Sequence, residues 1–145
     1  MRHNNKLVLV VVALLVVGLA MTGCARKKTK TASGGGANLQ KVHFDFDKYN
    51  IKSEFEGALK GNADWMNGNK KSTVVIEGHC DERGAAEYNI ALGDRRAKAA
   101  KNYMQNLGTG ADRMSTISYG KEKPVCTQSN ESCWWQNRRD EFLAK

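Results

Sequence analysis

Arg96 is the residue of this 145-residue chain whose position most demands a chemical explanation. At 100° per residue, Leu92, Ala99, Ala100, Tyr103 and Leu107 share one helical face with Asn89 at its edge. Arg96 falls in the middle of that stripe, whereas Arg95 is at its border. A guanidinium there must find an anion or reach out of the core, because an unpaired buried charge is very costly. The nearest acid is Asp81, in the loop leading into the helix. The two either neutralise each other or stand side by side to receive a guest carrying both signs. The run His79-Cys80-Asp81-Glu82 also raises a catalytic dyad or a zinc site. Adjacent strand residues point to opposite faces, which separates His79 from Cys80. Cys126 and Cys133 are spaced more widely than the close ligand pairs of zinc sites. The pattern favours binding over catalysis, with no metal.

Six elements are needed to position these groups. Val42 to Phe46 alternates with period two and predicts a strand. Ile51, Phe55, Leu59, Ala63 and Met66 fall on one helical face, and Gly68 and Asn69 end that helix. Thr73 to Gly78 is β-branched and predicts a second strand. The Arg96 helix runs from Ala86 to Leu107 and is ended by Gly108. Met114 to Tyr119 and Asn137 to Leu143 predict two further strands. The order β-α-β-α-β-β predicts an α+β fold, with two helices packed on a mixed sheet, over residues 41–145.

The front of the chain differs in kind. Arg2, His3 and Lys6 precede an apolar run from Leu7 to Ala20, short of the roughly 20 residues that span a bilayer. That pattern predicts a secretory signal over residues 1–23 rather than an uncleaved anchor or a buried helix. Residues 24–40 lack large apolar side chains apart from Leu39, and include Ser33-Gly34-Gly35-Gly36, a flexible linker. The formal net charge of +8 suggests anionic partners, and export excludes nucleic acid as the physiological one. Arg26, Lys27, Lys28 and Lys30 begin the linker, where they either lie on anionic lipid or are simply solvated.

The run from Gly78 to Ala97 (GHCDERGAAEYNIALGDRRA) resembles the signature of the OmpA-like family, with Asp81, Gly84, Asn89, Leu92, Arg96 and Ala97 in register. Phe44-Asp45-Phe46-Asp47, the segment Ser118 to Pro124, and Asn137-Arg138-Arg139 are similar to the peptidoglycan-associated lipoproteins of that family. Met21-Thr22-Gly23-Cys24 resembles their lipobox, with Met21 in place of the usual Leu. The resemblance covers residues 41–145. It implies an OmpA-like domain without cofactor or catalysis that binds peptidoglycan at the diaminopimelate of the stem peptide. On that resemblance Asp81 accepts from the ammonium and Arg96 binds the carboxylate bidentately. Asn89 bonds either the ligand or the Asp81 loop, and Asp47 and Arg138 line the same groove. Cys80 stands at a position usually occupied by Thr or Ala, so a hydroxyl contact is missing there.

The resemblance further implies acylation of Cys24, an outer-membrane location and a partner of the Tol system acting in cell division. The alternative is a structural or adaptor lipoprotein whose groove is vestigial. The flagellar stator relative carries a full membrane-spanning helix, which the short apolar run disfavours. Cys126 and Cys133 bracket a short loop, match cysteines of some of these lipoproteins, and are expected to pair in an oxidising periplasm. Cys80 is then unpaired and buried. Gly93 replaces a common Ser and loosens its helix, Asp140 stands where relatives usually carry an apolar residue, and Trp134 and Trp135 are expected to pack a loop.

Overall fold

The computed structural model describes residues 38–145. The expected signal over residues 1–23, the acylated Cys24 and the linker up to residue 37 lie outside the described residues. In chain order the elements are β1 (Val42–His43), α1 (Ser53–Gly68), β2 (Val74–His79), α2 (Ala86–Asn106), β3 (Met114–Gly120), α3 (Glu131–Asn137) and β4 (Arg139–Ala144), with a 3-10 turn at Ala111–Arg113 before β3. The strands form one sheet in the order β1-β4-β2-β3. β2 and β3 run parallel, and α2 connects them. β4 runs antiparallel to both β1 and β2 and lies between them. This is the α+β, OmpA-like arrangement that the sequence implies.

Three boundaries differ from expectation. β1 ends at His43 rather than Phe46, because the chain turns at Asp45–Lys48, where Lys48 N–H donates to the Asp45 carbonyl and Asp47 adopts a left-handed φ of 57°. A third helix, α3, precedes the last strand, so Asn137 closes a helix and the strand starts at Arg139. Asn130 caps α3 by accepting from Cys133 N–H, and the Cys126–Cys133 disulfide ties that helix to the preceding loop. Finally, the fold begins before Lys41. Leu39 packs against the core, and Gln40 exchanges two 2.8 Å hydrogen bonds with the buried Asn62 side chain of α1.

The core has one side. Val42, Val74, Ile76 and Phe142 point from the sheet toward Leu59, Ala63 and Met66 of α1 and Ala97, Ala100 and Met104 of α2. Met104, not Leu107, completes the α2 stripe, since the helix ends at Asn106 and leaves Leu107 exposed. On the other face of the sheet, Ile117 and Leu143 are exposed, which accounts for the alternation that marks β2.

Helix α2 approaches β2 closely at one point. A Cβ on Gly78 would collide with the Gly93 carbonyl, and a Cβ on Gly93 would collide with Ser118 Oγ and stand 2.9 Å from the Gly78 carbonyl oxygen. Gly93 is therefore there because a larger residue does not fit, a reason that outweighs its poor helix propensity. Two buried polar side chains lie near this contact. Both ring nitrogens of His79 and both carboxyl oxygens of Asp140 lack a hydrogen-bond partner. Burial, reinforced by nearby Arg139, lowers the His79 pKa to about 4. Burial also pushes the Asp140 carboxyl well above the usual range, opposed by the charge of Arg96. The apolar slot expected at position 140 thus holds an acid that burial drives toward its neutral form.

Two predictions follow from this packing. Gly78→Ala should destabilise the domain by about 1–3 kcal/mol, since backbone must move to admit the methyl group, and thermal unfolding checks this. His79 is neutral in the fold and its pKa is lowered, so its contribution is complete above pH 6.5 and is lost as pH falls toward 4. Across that window the wild type should lose on the order of 3 kcal/mol relative to His79→Gln, measured by denaturant unfolding. Parallel pH profiles for the two proteins would refute it.

Candidate functional site

One end of the sheet opens into a pocket of about 160 Å³. The β1–α1 loop contributes Phe46 and Asp47, the β2–α2 loop Cys80, Asp81, Arg83 and Gly84, and the start of α2 Tyr88, Asn89, Leu92 and Arg96. Arg138, between α3 and β4, completes the wall. Asp47, Cys80, Asp81, Asn89, Arg96 and Arg138, the residues singled out from the sequence, all line this one space.

Arg96 is fully buried and makes no ion pair with Asp81. Its Nε donates to the Lys48 carbonyl at 2.8 Å, Nη1 to the His79 carbonyl at 2.8 Å, and Nη2 to the Asp45 carbonyl at 3.1 Å. A longer contact joins Nη1 to Cys80 Sγ, at 3.5 Å, and the guanidinium lies over the Phe44 ring. The direct Asp81–Arg96 neutralisation that the sequence left open is therefore not what the structure forms. The helical stripe locates Arg96 correctly, but backbone carbonyls of two flanking segments satisfy it instead of the acid. Since a guanidinium has five N–H groups, these four contacts leave one on Nη2.

Asp81 is paired with other cations. Its Oδ1 accepts from Arg83 N–H and Arg83 Nε, both at 3.1 Å. Its Oδ2 accepts from Arg83 Nη2 at 2.6 Å and Arg138 Nη1 at 3.2 Å. Burial acts to raise the Asp81 carboxyl, but these hydrogen bonds outweigh it and hold the pKa below its usual value. Arg138 is itself fixed, donating from Nε to the Phe44 carbonyl at 2.9 Å and from Nη2 to Glu131. Asn89 uses its amide nitrogen on the carbonyls of Arg83 and Ala85, which braces the Asp81 loop and leaves Oδ1. Asp47 accepts from the Tyr88 hydroxyl. The Cys80 thiol donates to the Asn89 carbonyl at 3.3 Å, and burial raises its pKa to about 11. A thiol in that state is a poor nucleophile. His79 instead stacks on Tyr119, with ring centroids 5.5 Å apart.

Sequence reasoning missed Arg83, whose guanidinium lies 3.9 Å from the Phe46 ring centroid and 4.0 Å from that of Trp134. An Asp that bonds the amide two residues on is a turn signal, so the local part of this contact was readable. The two rings come from distant segments and carried no such signal. Trp134 also donates to Glu82 at 2.8 Å, while Trp135 stacks on His43 at 4.1 Å. Cys126 and Cys133 are disulfide-bonded as expected, and Cys80 is free and buried.

The chain matches the model of the OmpA family over residues 43–138. It is 42% identical to a peptidoglycan-associated lipoprotein of Mesorhizobium japonicum, covering 89% of this chain and 88% of the relative. It is 41% identical to the protein of that name from Pasteurella multocida, over 87% and 92%. Among solved structures, the peptidoglycan-associated lipoprotein of Burkholderia pseudomallei superposes with a TM-score of 0.72 at 38% identity, covering 73% of this chain and 90% of that one. The C-terminal domain of Helicobacter pylori MotB shares the fold at 16% identity and a TM-score of 0.66, over 74% and 84%. Family model, identity and coverage agree: the chain belongs to the OmpA family, on its peptidoglycan-associated lipoprotein branch.

Proposed function

We propose that this protein is an outer-membrane lipoprotein that holds peptidoglycan non-covalently and does no chemistry on it. The observation that carries this reading is one small pocket ringed by Arg83, Arg96 and Arg138 on one side of the charge balance and by Asp47 and Asp81 on the other. Such a site suits a compact group bearing both signs, and about 160 Å³ accommodates the end of an amino acid rather than a whole saccharide. The diaminopimelate side chain, with its adjacent ammonium and carboxylate, meets that requirement. The carboxylate approaches the remaining Nη2 hydrogen of Arg96, and the ammonium approaches Asp81 and Asp47. The relatives' shared description as peptidoglycan-associated lipoproteins supports the same reading.

Residues 1–23 serve as the export signal, and acylated Cys24 anchors the chain in the outer membrane. The linker that follows, ending before Leu39, then lets the domain reach the wall. Several acyl chains are needed for stable anchoring, since each buried methylene contributes about 0.8 kcal/mol. A protein of the Tol system is the proposed partner, and envelope constriction during division is the setting.

Asp81→Asn keeps the size of the side chain but removes its charge. It should reduce sedimentation with diaminopimelate-type sacculi about tenfold or more while the domain stays folded. Wild-type sedimentation by folded Asp81→Asn would leave the vestigial-groove adaptor as the better account. Arg96→Ala should behave differently, losing on the order of 3 kcal/mol of stability, because the buried His79 carbonyl loses its donor, the two loop carbonyls lose their tie to α2, and a cavity opens in the fold. Cys24→Ser should move the protein from the membrane to the soluble periplasmic fraction, and retention in the membrane would refute the anchor.

A further inference from the structure

We infer that Arg83 is a built-in stand-in for the guest's cation, and that the pocket binds by exchanging it. The inference rests on the pocket reading above and concerns how the same site selects its guest. The carboxylate of Asp81 is only 3% exposed as a residue and already receives four N–H groups, three from Arg83 and one from Arg138. A carboxylate has about four lone-pair positions, so an arriving ammonium finds none vacant. One of the two arginines must give way.

The surroundings decide which. Arg138 has a side chain 4% exposed and is tied to the Phe44 carbonyl and to Glu131 as well as to Asp81. The Arg83 side chain is 31% exposed and has Asp81 as its hydrogen-bond acceptor, with its guanidinium over the rings of both Phe46 and Trp134. Ring faces hold a guanidinium by cation–π attraction, which is weakly directional and lets it slide in the plane between them. Arg83 is thus the group free to move, and Phe46 and Trp134 form the slot in which it moves. Its backbone N–H keeps the Asp81 loop in place meanwhile.

Charge balance then sets the specificity. An ammonium that takes the place of Arg83 on Asp81 leaves a guanidinium without its anion. A guest that brings a carboxylate beside the ammonium, with one oxygen on Arg96 and the other open to Arg83, supplies a replacement, so the displaced guanidinium keeps a partner. A guest with an ammonium alone does not. Arg83 is therefore a specificity-determining residue that favours zwitterionic side chains such as diaminopimelate over lysine. Because its side chain reaches solvent in part, water compensates some of the loss and the preference it confers is moderate, about tenfold, or 1.4 kcal/mol.

The test is a titration of the wild-type domain and of Arg83→Met with a stem tripeptide ending in diaminopimelate and with its lysine counterpart. Methionine fills the slot between the rings without charge. The wild type should prefer the diaminopimelate peptide by about tenfold or more, and Arg83→Met should lower that ratio about tenfold, leaving the share that Arg96 confers. An unchanged ratio overturns the exchange. Should the wild type bind neither peptide, the pocket reading itself fails, which is a distinguishable result. A second measurement stands even where the variant does not fold. Saturating the wild type with the diaminopimelate peptide should change tryptophan emission as Arg83 leaves the Trp134 face, and Trp134→Phe should abolish that change. Emission that stays constant while the peptide binds overturns the exchange as well.

Discussion

The buried guanidinium of Arg96 is the constraint on which the site depends. It joins α2 to the carbonyls of Asp45 and Lys48 in the β1–α1 loop and to that of His79 at the end of β2. The Asp45 and Lys48 carbonyls lie in a loop and the His79 carbonyl at the irregular end of β2, where a side-chain donor is needed to tie them together. One side chain satisfies all three and so sets the distance between two loops and a helix. The pocket is the space left between them. Two of its walls are loops, but their spacing comes from the helix that carries Arg96 and forms the third.

Such an arrangement separates two tasks that a binding site often combines. Arg96 shapes the cavity, and most of its hydrogen-bonding capacity is spent on the protein itself. The adjustable charges belong to Asp81 and Arg83, nearer the mouth, where Phe46, Tyr88 and Trp134 supply ring faces and part of the surface is wet. The close approach of Gly78 and Gly93 serves the first task too, since it brings the Arg96 helix down onto β2. A bulkier pair there would lift the helix and lengthen every contact of the guanidinium.

The sequence was informative where periodicity or local turn chemistry operates. The 3.6-residue repeat placed Leu92, Arg96 and Ala100 on the inward face of α2, and β-branched composition identified β2. Periodicity assigns a face but not a partner, so it could place Arg96 inside without showing that carbonyls, rather than Asp81, would receive it. The same limit hid the Arg83 slot, whose two rings come from the β1–α1 loop and from α3, 88 residues apart in sequence. Helix α3 escaped notice because seven residues give too short a repeat to read. Its one local mark was Asn130, a capping residue ahead of Cys133 and Asn137, the buried positions of that turn. Asp140 had no local signal at all, for its burial is a product of the central place of β4.

The attachment of Gln40 to Asn62 gives the domain a mechanical property. Any pull arriving from the N-terminal side meets first those two hydrogen bonds and then a strand of two residues, Val42–His43, at the sheet edge. Edge strands of that length peel one bond at a time and resist load poorly. Immediately beyond them lie the Asp45 and Lys48 carbonyls that grip Arg96. Tension entering the domain from its N-terminal side is therefore delivered to the mouth of the cavity before the rest of the fold bears it, so that the shape of the cavity and the load on the chain are linked through a handful of bonds.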